Sequence, residues 1–309
     1  MCKPRRDLPA WRSLLFVPVV REAFVAGAHR RGADGIILDL EDSVPEGEKD
    51  RARTLLPAAA RQVGKGGADV LVRINRPWHR AFRDIEAAVD PQITALMCPK
   101  VESPEHLMVI AEMLDTLEQA RGLQAGHTKL VALIETADAF FRAREIARAT
   151  PRLVALSVGA EDFALAVGME PVGEALQLPK QTVIIAARAA GIVPLGFLGT
   201  VADFRDLDAF RRTVRRSRTF GFAGASCVHP SQLAILNEEY GVSAQELERA
   251  RRMIGAYDAA MASGLGAVTF EGTMIDVPVV ERAKALIARA EQLAARQRTY
   301  EEARAKSAL

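Results

Sequence analysis

Three cysteines in 309 residues are too few, and odd in number, for a disulfide framework, and they point to a reducing compartment. Cys98 and Cys227 sit inside apolar runs, where a thiol behaves as a small buried hydrophobe. No run of about 18 apolar residues occurs, which argues against a membrane-spanning helix. Aromatic residues make up only 6%, leaving few stacking platforms for a single nucleic-acid strand. Excess charge is also missing. Against 41 Lys and Arg stand 39 Asp and Glu, a formal charge of +2, with no basic surplus to hold a phosphate backbone. The sequence has no Cys/His metal cluster, no Gly-x4-Gly-Lys-Ser/Thr phosphate loop and no Gly-x-Ser-x-Gly elbow, so ATP hydrolysis and acyl-serine chemistry find no support. The basic opening 1–6 is not followed by a signal peptide: the apolar run 14–20 contains Pro18, ends at Arg21 and lacks a small-residue cleavage site. These absences lead us to expect a cytoplasmic protein whose partners are neither nucleic acid nor membrane.

Hydrophobic residues are 49% and charged residues 26%, enough for a sizeable core in one large domain or two smaller ones. Short runs rich in Val, Ile and Leu recur at 13–17, 35–40, 69–74, 95–99, 129–134, 153–158, 192–197 and 225–229. Their starts lie 22 to 39 residues apart, close to the ~30 residues of a strand, crossover helix and two loops. Most are continuously apolar, as parallel strands covered on both faces must be. Eight such units predict an α/β fold, a TIM-type (β/α)8 barrel, with a doubly wound open sheet as the rival.

The segments between the runs have helical periodicity. Residues 105–121 place Leu107, Ile110, Ala111, Leu114 and Leu117 on one face, with Glu112, Asp115 and Glu118 outside that stripe and Gly122 as a stop. We assign the barrel to residues 11–232 and a C-terminal helical extension, a lid or an oligomer contact, to 233–309. Within the extension we expect a helix over 244–264, a turn-like stretch at 266–278, a helix over 279–296 and a frayed charged tail.

Polar residues gather where the apolar runs end: Asp39, Glu41 and Asp42 after the second, Arg73 and Asn75 after the third, and Lys100 and Glu102 after the fourth. Glu135 follows the fifth run, Glu161 and Asp162 the sixth and His229 the eighth. In a parallel barrel these ends share one face, the one that builds active sites. Each residue also has a plainer role available. Asp39 can be a buried carboxylate bonded to backbone amides, Glu41 and Asp42 can be helix caps, and Arg73 can be a salt bridge to a neighbouring acid. His229 reads as structural. Glu135 and Asp162 end runs on different strands, and burying isolated carboxylates is costly unless hydrogen bonds or a hard divalent cation compensate.

The motifs Arg12-Ser-Leu-Leu-Phe-Val-Pro18, Gly32-Ala-Asp-Gly-Ile-Ile-Leu-Asp-Leu-Glu-Asp-Ser-Val44, Val72-Arg-Ile-Asn75, Pro99-Lys-Val-Glu102, Ala132-Leu-Ile-Glu-Thr136, Gly159-Ala-Glu-Asp162, Val228-His-Pro-Ser-Gln232 and Met274-Ile-Asp-Val-Pro278 occur in that order. Together they resemble the citrate lyase β-subunit-like family, which includes malyl-CoA and citramalyl-CoA lyases. The resemblance implies a TIM barrel, commonly trimeric. It further implies Mg2+-dependent cleavage or formation of a carbon–carbon bond in a 3-hydroxyacyl-CoA, or a carrier-protein thioester, giving acetyl-CoA and a 2-keto acid. Carried over, Glu135 and Asp162 are the metal ligands and Arg73 holds the thioester carbonyl as it becomes an enolate. The group Asp39, Glu41, Asp42 and Lys100 supports metal and substrate, and Asp276 exchanges the proton at the acyl methyl carbon. The chain departs from the family pattern in several places. Val19 and Val20 follow the first proline in place of glycine, Gly27 and Ala225 replace lysines, Gly196 replaces an aspartate, and Lys180 replaces an arginine. These changes keep open a pyruvate-class aldolase acting on a free hydroxy-keto acid, an acyl-CoA thioesterase and, with less support, a non-catalytic assembly subunit.

Overall fold

The computed structural model describes residues 8–200, 205–264 and 266–307; the basic opening 1–6 lies outside them. Eight parallel strands form on the apolar runs: β1 Ser13–Pro18, β2 Gly35–Asp39, β3 Asp69–Arg73, β4 Ala95–Cys98, β5 Lys129–Ile134, β6 Leu153–Val158, β7 Val193–Pro194 and β8 Ala225–Cys227. They stand in one sheet in the order β7-β6-β5-β4-β3-β2-β1-β8. A parallel bridge between Leu195 and Gly224 joins its two edges. There Gly196 N donates to Gly224 O (2.8 Å) and Ala223 N to Pro194 O (3.0 Å). The order never reverses, so the sheet is a TIM-like barrel and not a doubly wound sheet with a switch point. β7 is shorter than the run 192–197 because the chain leaves it at Gly196, whose φ is +133°. Gly224 has no room for a side chain: a Cβ there would stand 2.2 Å from Trp11 O.

The two-residue period of a strand sorts side chains onto two cores. Leu14, Ile37, Leu71, Met97, Leu133 and Ala155 fill the barrel interior with Trp11 and Leu195. Leu15, Ile36, Leu38, Val70, Val72, Leu96 and Ala132 point outward and pack with residues of the surrounding helices. Cys98 and Cys227 are buried, and burial pushes both thiols up to about 12, which leaves them inert. The same period sets the site. Two residues past an inward apolar position the chain points inward again, now at the carboxyl end. Ile37 is thus followed by Asp39, Leu71 by Arg73 and Leu133 by Glu135.

The helix expected at 105–121 is Pro104–Ala120, capped by Ser103, whose hydroxyl accepts from His106 N at 3.3 Å. Glu118 departs from expectation: it is buried, not outside the stripe. Arg152 donates to it from Nη1 (2.8 Å) and Nη2 (2.6 Å), and Gly126 N and Thr128 N complete its hydrogen bonds at 2.8 and 2.7 Å. A carboxylate so supplied can be buried.

A first compact unit reaches to Tyr240 and a second runs from Gly241 to Glu302. The second opens with the helix Ala244–Ala262, fixed by a Ser243–Glu246 capping box. The stretch expected to be turn-like holds an antiparallel hairpin, β9 Val268–Phe270 and β10 Thr273–Ile275. The final helix spans Val277–Ser307, so the charged tail expected to fray is helical. Its Ala, Glu, Arg, Lys and Gln residues are strong helix formers, and pairs such as Lys284 with Glu281 (2.9 Å) and Gln297 with Glu301 (3.0 Å) support it. No helix among the described residues is long and apolar enough to cross a membrane.

Replacing Arg152 by Met leaves the Glu118 carboxylate buried without its cation and is expected to cost about 3–5 kcal/mol in urea unfolding. The Glu118→Gln/Arg152→Met double variant is expected to regain part of that loss. A single variant as stable as wild type would show that the pair contributes nothing.

Candidate functional site

A cleft of about 420 Å3 opens at the carboxyl ends of the strands. Phe16, Asp39, Asp42, Arg73, Glu135 and Asp162 line it, which brings together residues from five strand ends. Glu41 and Lys100 stand behind this wall and tie it together.

Arg73 is the centre of one half. Its Nε donates to Asp39 Oδ1 and its Nη2 to Asp39 Oδ2, both at 2.7 Å, the paired geometry that best fixes a guanidinium. Nη1 lies 3.0 Å from Glu41 Oε2 and 3.2 Å from Asp42 Oδ2, and the guanidinium sits 4.9 Å from the centre of the Phe16 ring. Asp39 also accepts from Glu41 N (3.0 Å), Ser43 N (3.1 Å) and Ser43 Oγ. Burial pushes the Asp39 carboxyl up, but Arg73, Ser43 and the Glu41 amide outweigh it and hold it below its ordinary range. With its oxygens taken by Arg73 and loop donors, Asp39 acts on the cleft through Arg73.

Glu135 and Asp162 form the other half. Glu135 is only 3% exposed, and its Oε2 accepts from Lys100 N at 2.7 Å. Burial, then repulsion from Asp162 and Glu41, pushes its carboxyl up to about 7. The opposite side of Glu135 abuts Gly159, where a Cβ would stand 2.1 Å from Oε1; any larger residue would displace the carboxylate. Asp162 lies in the first turn of the helix Ala160–Val167, where the helix dipole favours an anion. Lys100 Nζ lies 3.0 Å from Glu41 Oε1 and 3.3 Å from Asp162 Oδ1. Burial disfavours the Lys100 charge, but Glu41, Glu135 and Asp162 prevail and hold its pKa above the ordinary lysine value. Glu41 is raised, chiefly by burial, against the pull of Arg73 and Lys100.

Sequence reasoning missed the support behind this cluster. Buried Lys49 donates to Leu40 O (2.9 Å) and Glu41 O (2.5 Å), fixing the backbone that carries the acids. Asn75 donates to Leu40 O at 2.9 Å and to Asp84 at 2.7 Å, and Asp84 is held by Arg53 Nε at 2.7 Å. Lys49, at the start of the helix Lys49–Gly64, reads as a solvated charge in the sequence; only the fold turns it inward. Lys180 also lines the cleft, its Nζ bonded to Phe197 O (2.6 Å) and Gly199 O, and burial pushes its amine down to about 7. His229 caps the short helix Pro230–Gln232, with Nδ1 2.7 Å from Ser231 Oγ, a structural place. Asp276 lies in the second unit, between β10 and the helix Val277–Ser307, half-buried, its Oδ1 3.4 Å from Val279 N.

The donor set suits a hard divalent cation. Glu135 and Asp162 offer carboxylate oxygens, and their mutual repulsion is the kind of strain a cation relieves. Among the described residues no group of three or more His, Cys, Asp or Glu is assembled for a metal. Two carboxylates and solvent are what Mg2+ commonly takes, whereas structural Zn2+ asks for four protein ligands.

A family model described as HpcH/HpaI aldolase/citrate lyase matches residues 12–230. Citrate lyase subunit beta of Escherichia coli (strain K12) is 34% identical over 285 residues, covering 91% of this chain and 93% of its own length. The L-malyl-CoA/beta-methylmalyl-CoA lyase of Cereibacter sphaeroides (strain ATCC 17029 / ATH 2.4.9) is 31% identical over 307 residues, covering 92% and 96%. Among solved structures, protein CitE from Mycobacterium tuberculosis, in complex with magnesium, acetoacetate and coenzyme A, aligns with a TM-score of 0.72 and 30% identity over 91% of this chain and 98% of its own.

Because the folded state raises Glu135 from 4.5 to about 7, its metal-free stability is full below pH 4.5 and falls as pH rises through 7. Glu135→Gln removes this dependence. At pH 8 and without metal the variant is expected to be more stable than wild type by about 3 kcal/mol, and at pH 4 to match it. Equal melting temperatures at pH 8 would refute the buried-charge account.

Proposed function

This chain belongs to the HpcH/HpaI aldolase/citrate lyase family, and from that premise we propose that it is a Mg2+-dependent lyase of a 3-hydroxyacyl-CoA. It is an enzyme of the carbon–carbon lyase type, like its citrate lyase and malyl-CoA lyase relatives. The observation that carries the reading is one cleft holding a clamped guanidinium and two carboxylates fit for a hard cation. The magnesium and coenzyme A bound by the Mycobacterium tuberculosis relative support it.

In this reading Glu135 and Asp162 hold the metal. Bound Mg2+ supplies Lewis acidity that lowers the pKa of the substrate's hydroxyl. Loss of the hydroxyl proton to solvent turns that carbon into the carbonyl of a 2-keto acid, the electrons of the broken carbon–carbon bond pass to the acetyl-CoA enolate, and the enolate takes up a proton at its methyl carbon. Arg73 faces the enolate oxygen as a donor already aimed by Asp39, so little reorganisation is needed as charge develops there. Lys100, Glu41 and Asp42 hold the two halves in register. Asp276 exchanges the proton at the methyl carbon. A trimer, a cytoplasmic location and a lid or oligomer-contact role for residues 233–309 belong to the same proposal. Citryl-, malyl- and citramalyl-CoA are the candidate substrates. Glycine at 27 and buried alanine at 225, where lysines would serve an acidic carrier, favour a free hydroxy-keto acid as the second reading.

The test is incubation with Mg2+ and citryl-, malyl-, citramalyl- or β-methylmalyl-CoA, with products followed by mass spectrometry. Metal-dependent release of an acyl-CoA with its keto acid is expected. Free CoA alone would make the protein a thioesterase, and no turnover of any thioester would move the reading to free acids. On the substrate that turns over, Arg73→Lys is expected to lower kcat about 10²- to 10³-fold, with KM less affected. Asp276→Asn is expected to suppress deuterium exchange at the methyl group of acetyl-CoA; exchange at the wild-type rate would remove Asp276 from the mechanism.

A further inference from the structure

Glu41, Glu135 and Asp162 follow three different strands, and a single residue touches all three. The Lys100 ammonium lies 3.0 Å from Glu41 Oε1 and 3.3 Å from Asp162 Oδ1, and its backbone N donates to Glu135 Oε2 at 2.7 Å. The residue is held there against its own preference. Its φ is +47°, a left-handed conformation that non-glycine residues seldom adopt, and Arg76 Nε donates to its carbonyl at 3.2 Å. The side chain is about two-thirds buried, at 32% exposure, so solvent screens these pairs only in part.

We propose that Lys100 is a built-in counter-cation of the carboxylate cluster, and that it sets the affinity for a divalent metal by competing for Asp162. This rests on the reading of Glu135 and Asp162 as metal ligands and goes beyond it by giving Lys100 a sign: it opposes metal binding. Asp162 cannot turn its charge wholly to a metal while it neutralises an ammonium. A metal must therefore displace or share that partner. The ammonium keeps Glu41, its nearer partner, so the exchange costs one ion pair and leaves no buried charge bare. The metal-free cluster is thereby kept stable, and metal affinity is held below what two carboxylates in a recessed cleft could reach.

The test is calorimetric titration of Mg2+ into the full chain, in wild type and in Lys100→Asn, Lys100→Gln, Lys100→Arg and Asp162→Asn. Asparagine tolerates the left-handed backbone and removes the charge, glutamine keeps more of the side chain's length, and arginine keeps the charge. Both neutral variants are expected to bind Mg2+ about tenfold more tightly than wild type. Mg2+ should also raise their melting temperatures by more than it raises that of wild type. Lys100→Arg is expected to stay near wild type. A residue that only props up the loop could not tighten binding when lost. Unchanged or weaker Mg2+ affinity in both neutral variants, with binding lost in Asp162→Asn, would overturn the competition and leave the ligand reading standing. Mg2+ binding undisturbed in Asp162→Asn would overturn the ligand reading and this inference with it.

Discussion

Negative charge crowded onto one end of the barrel is the constraint from which the rest of the site follows. Asp39, Glu41, Asp42, Glu135 and Asp162 approach one another with two cations, Arg73 and Lys100, among them. Carboxylates at such spacing cannot all stay ionised in a recessed cleft unless something neutralises them. The two cations divide the work. Arg73 satisfies Asp39 fully and leans on Glu41 and Asp42, while Lys100 bridges Glu41 and Asp162 and leaves Glu135 only an amide. The deficit therefore falls on Glu135, whose carboxyl is pushed up to about 7 by burial, then by the neighbouring Asp162 and Glu41. On the proposed reading, a site that attracts a divalent cation has to be left short of positive charge, and Glu135 is where this one is short.

The barrel was legible in the sequence because its two cores impose two plain patterns. Continuous apolar runs mark strands covered on both faces, and their spacing marks the crossover helices. The positions of Asp39, Arg73 and Glu135 were legible for a related reason: each is the polar residue that closes an inward-facing row at its carboxyl end, two residues past Ile37, Leu71 and Leu133. The pattern failed where tertiary partners override local chemistry. Nothing near Glu118 in the sequence announces Arg152, 34 residues away, which lets that carboxylate go inside. Nor does anything mark Lys49, whose partners are carbonyls and carry no sequence signature. The hairpin at Val268–Phe270 and Thr273–Ile275 is too short for alternation to stand out from a turn.

Rigidity in this cleft comes from backbone as much as from side chains. The loop after β2 is pinned by Lys49 and Asn75 through the carbonyls of Leu40 and Glu41, so its acids sit on fixed mounts. Gly159 allows β6 to pass close behind Glu135, and the left-handed turn at Lys100 aims an amide and an ammonium at different carboxylates. Interactions that must act as charge develops in a reaction are most effective when their geometry is settled beforehand. Strain at Lys100 and crowding at Gly159 are the structural counterpart of that requirement.

Two departures that the family resemblance implies, at positions 180 and 196, line the same cleft as this fixed centre, and their chemistry bears on substrate choice. At the β7 side of the cleft, the resemblance implies an aspartate where Gly196 stands and an arginine where Lys180 stands. The Lys180 amine is given two main-chain carbonyls, and at Gly196 a Cβ would stand 3.0 Å from the Phe222 ring. On that comparison the cleft wall loses an acid and trades a fixed, always-charged fork for an amine that burial pushes down to about 7. Arg73, Glu135 and Asp162 do not depend on that wall: their partners come from the ends of β2 to β6. On the proposed reading, bond cleavage and acyl-group selection rest on separable parts of one barrel rim. A chain that keeps the first part intact and rebuilds the second can keep its reaction type while changing the molecule it acts upon.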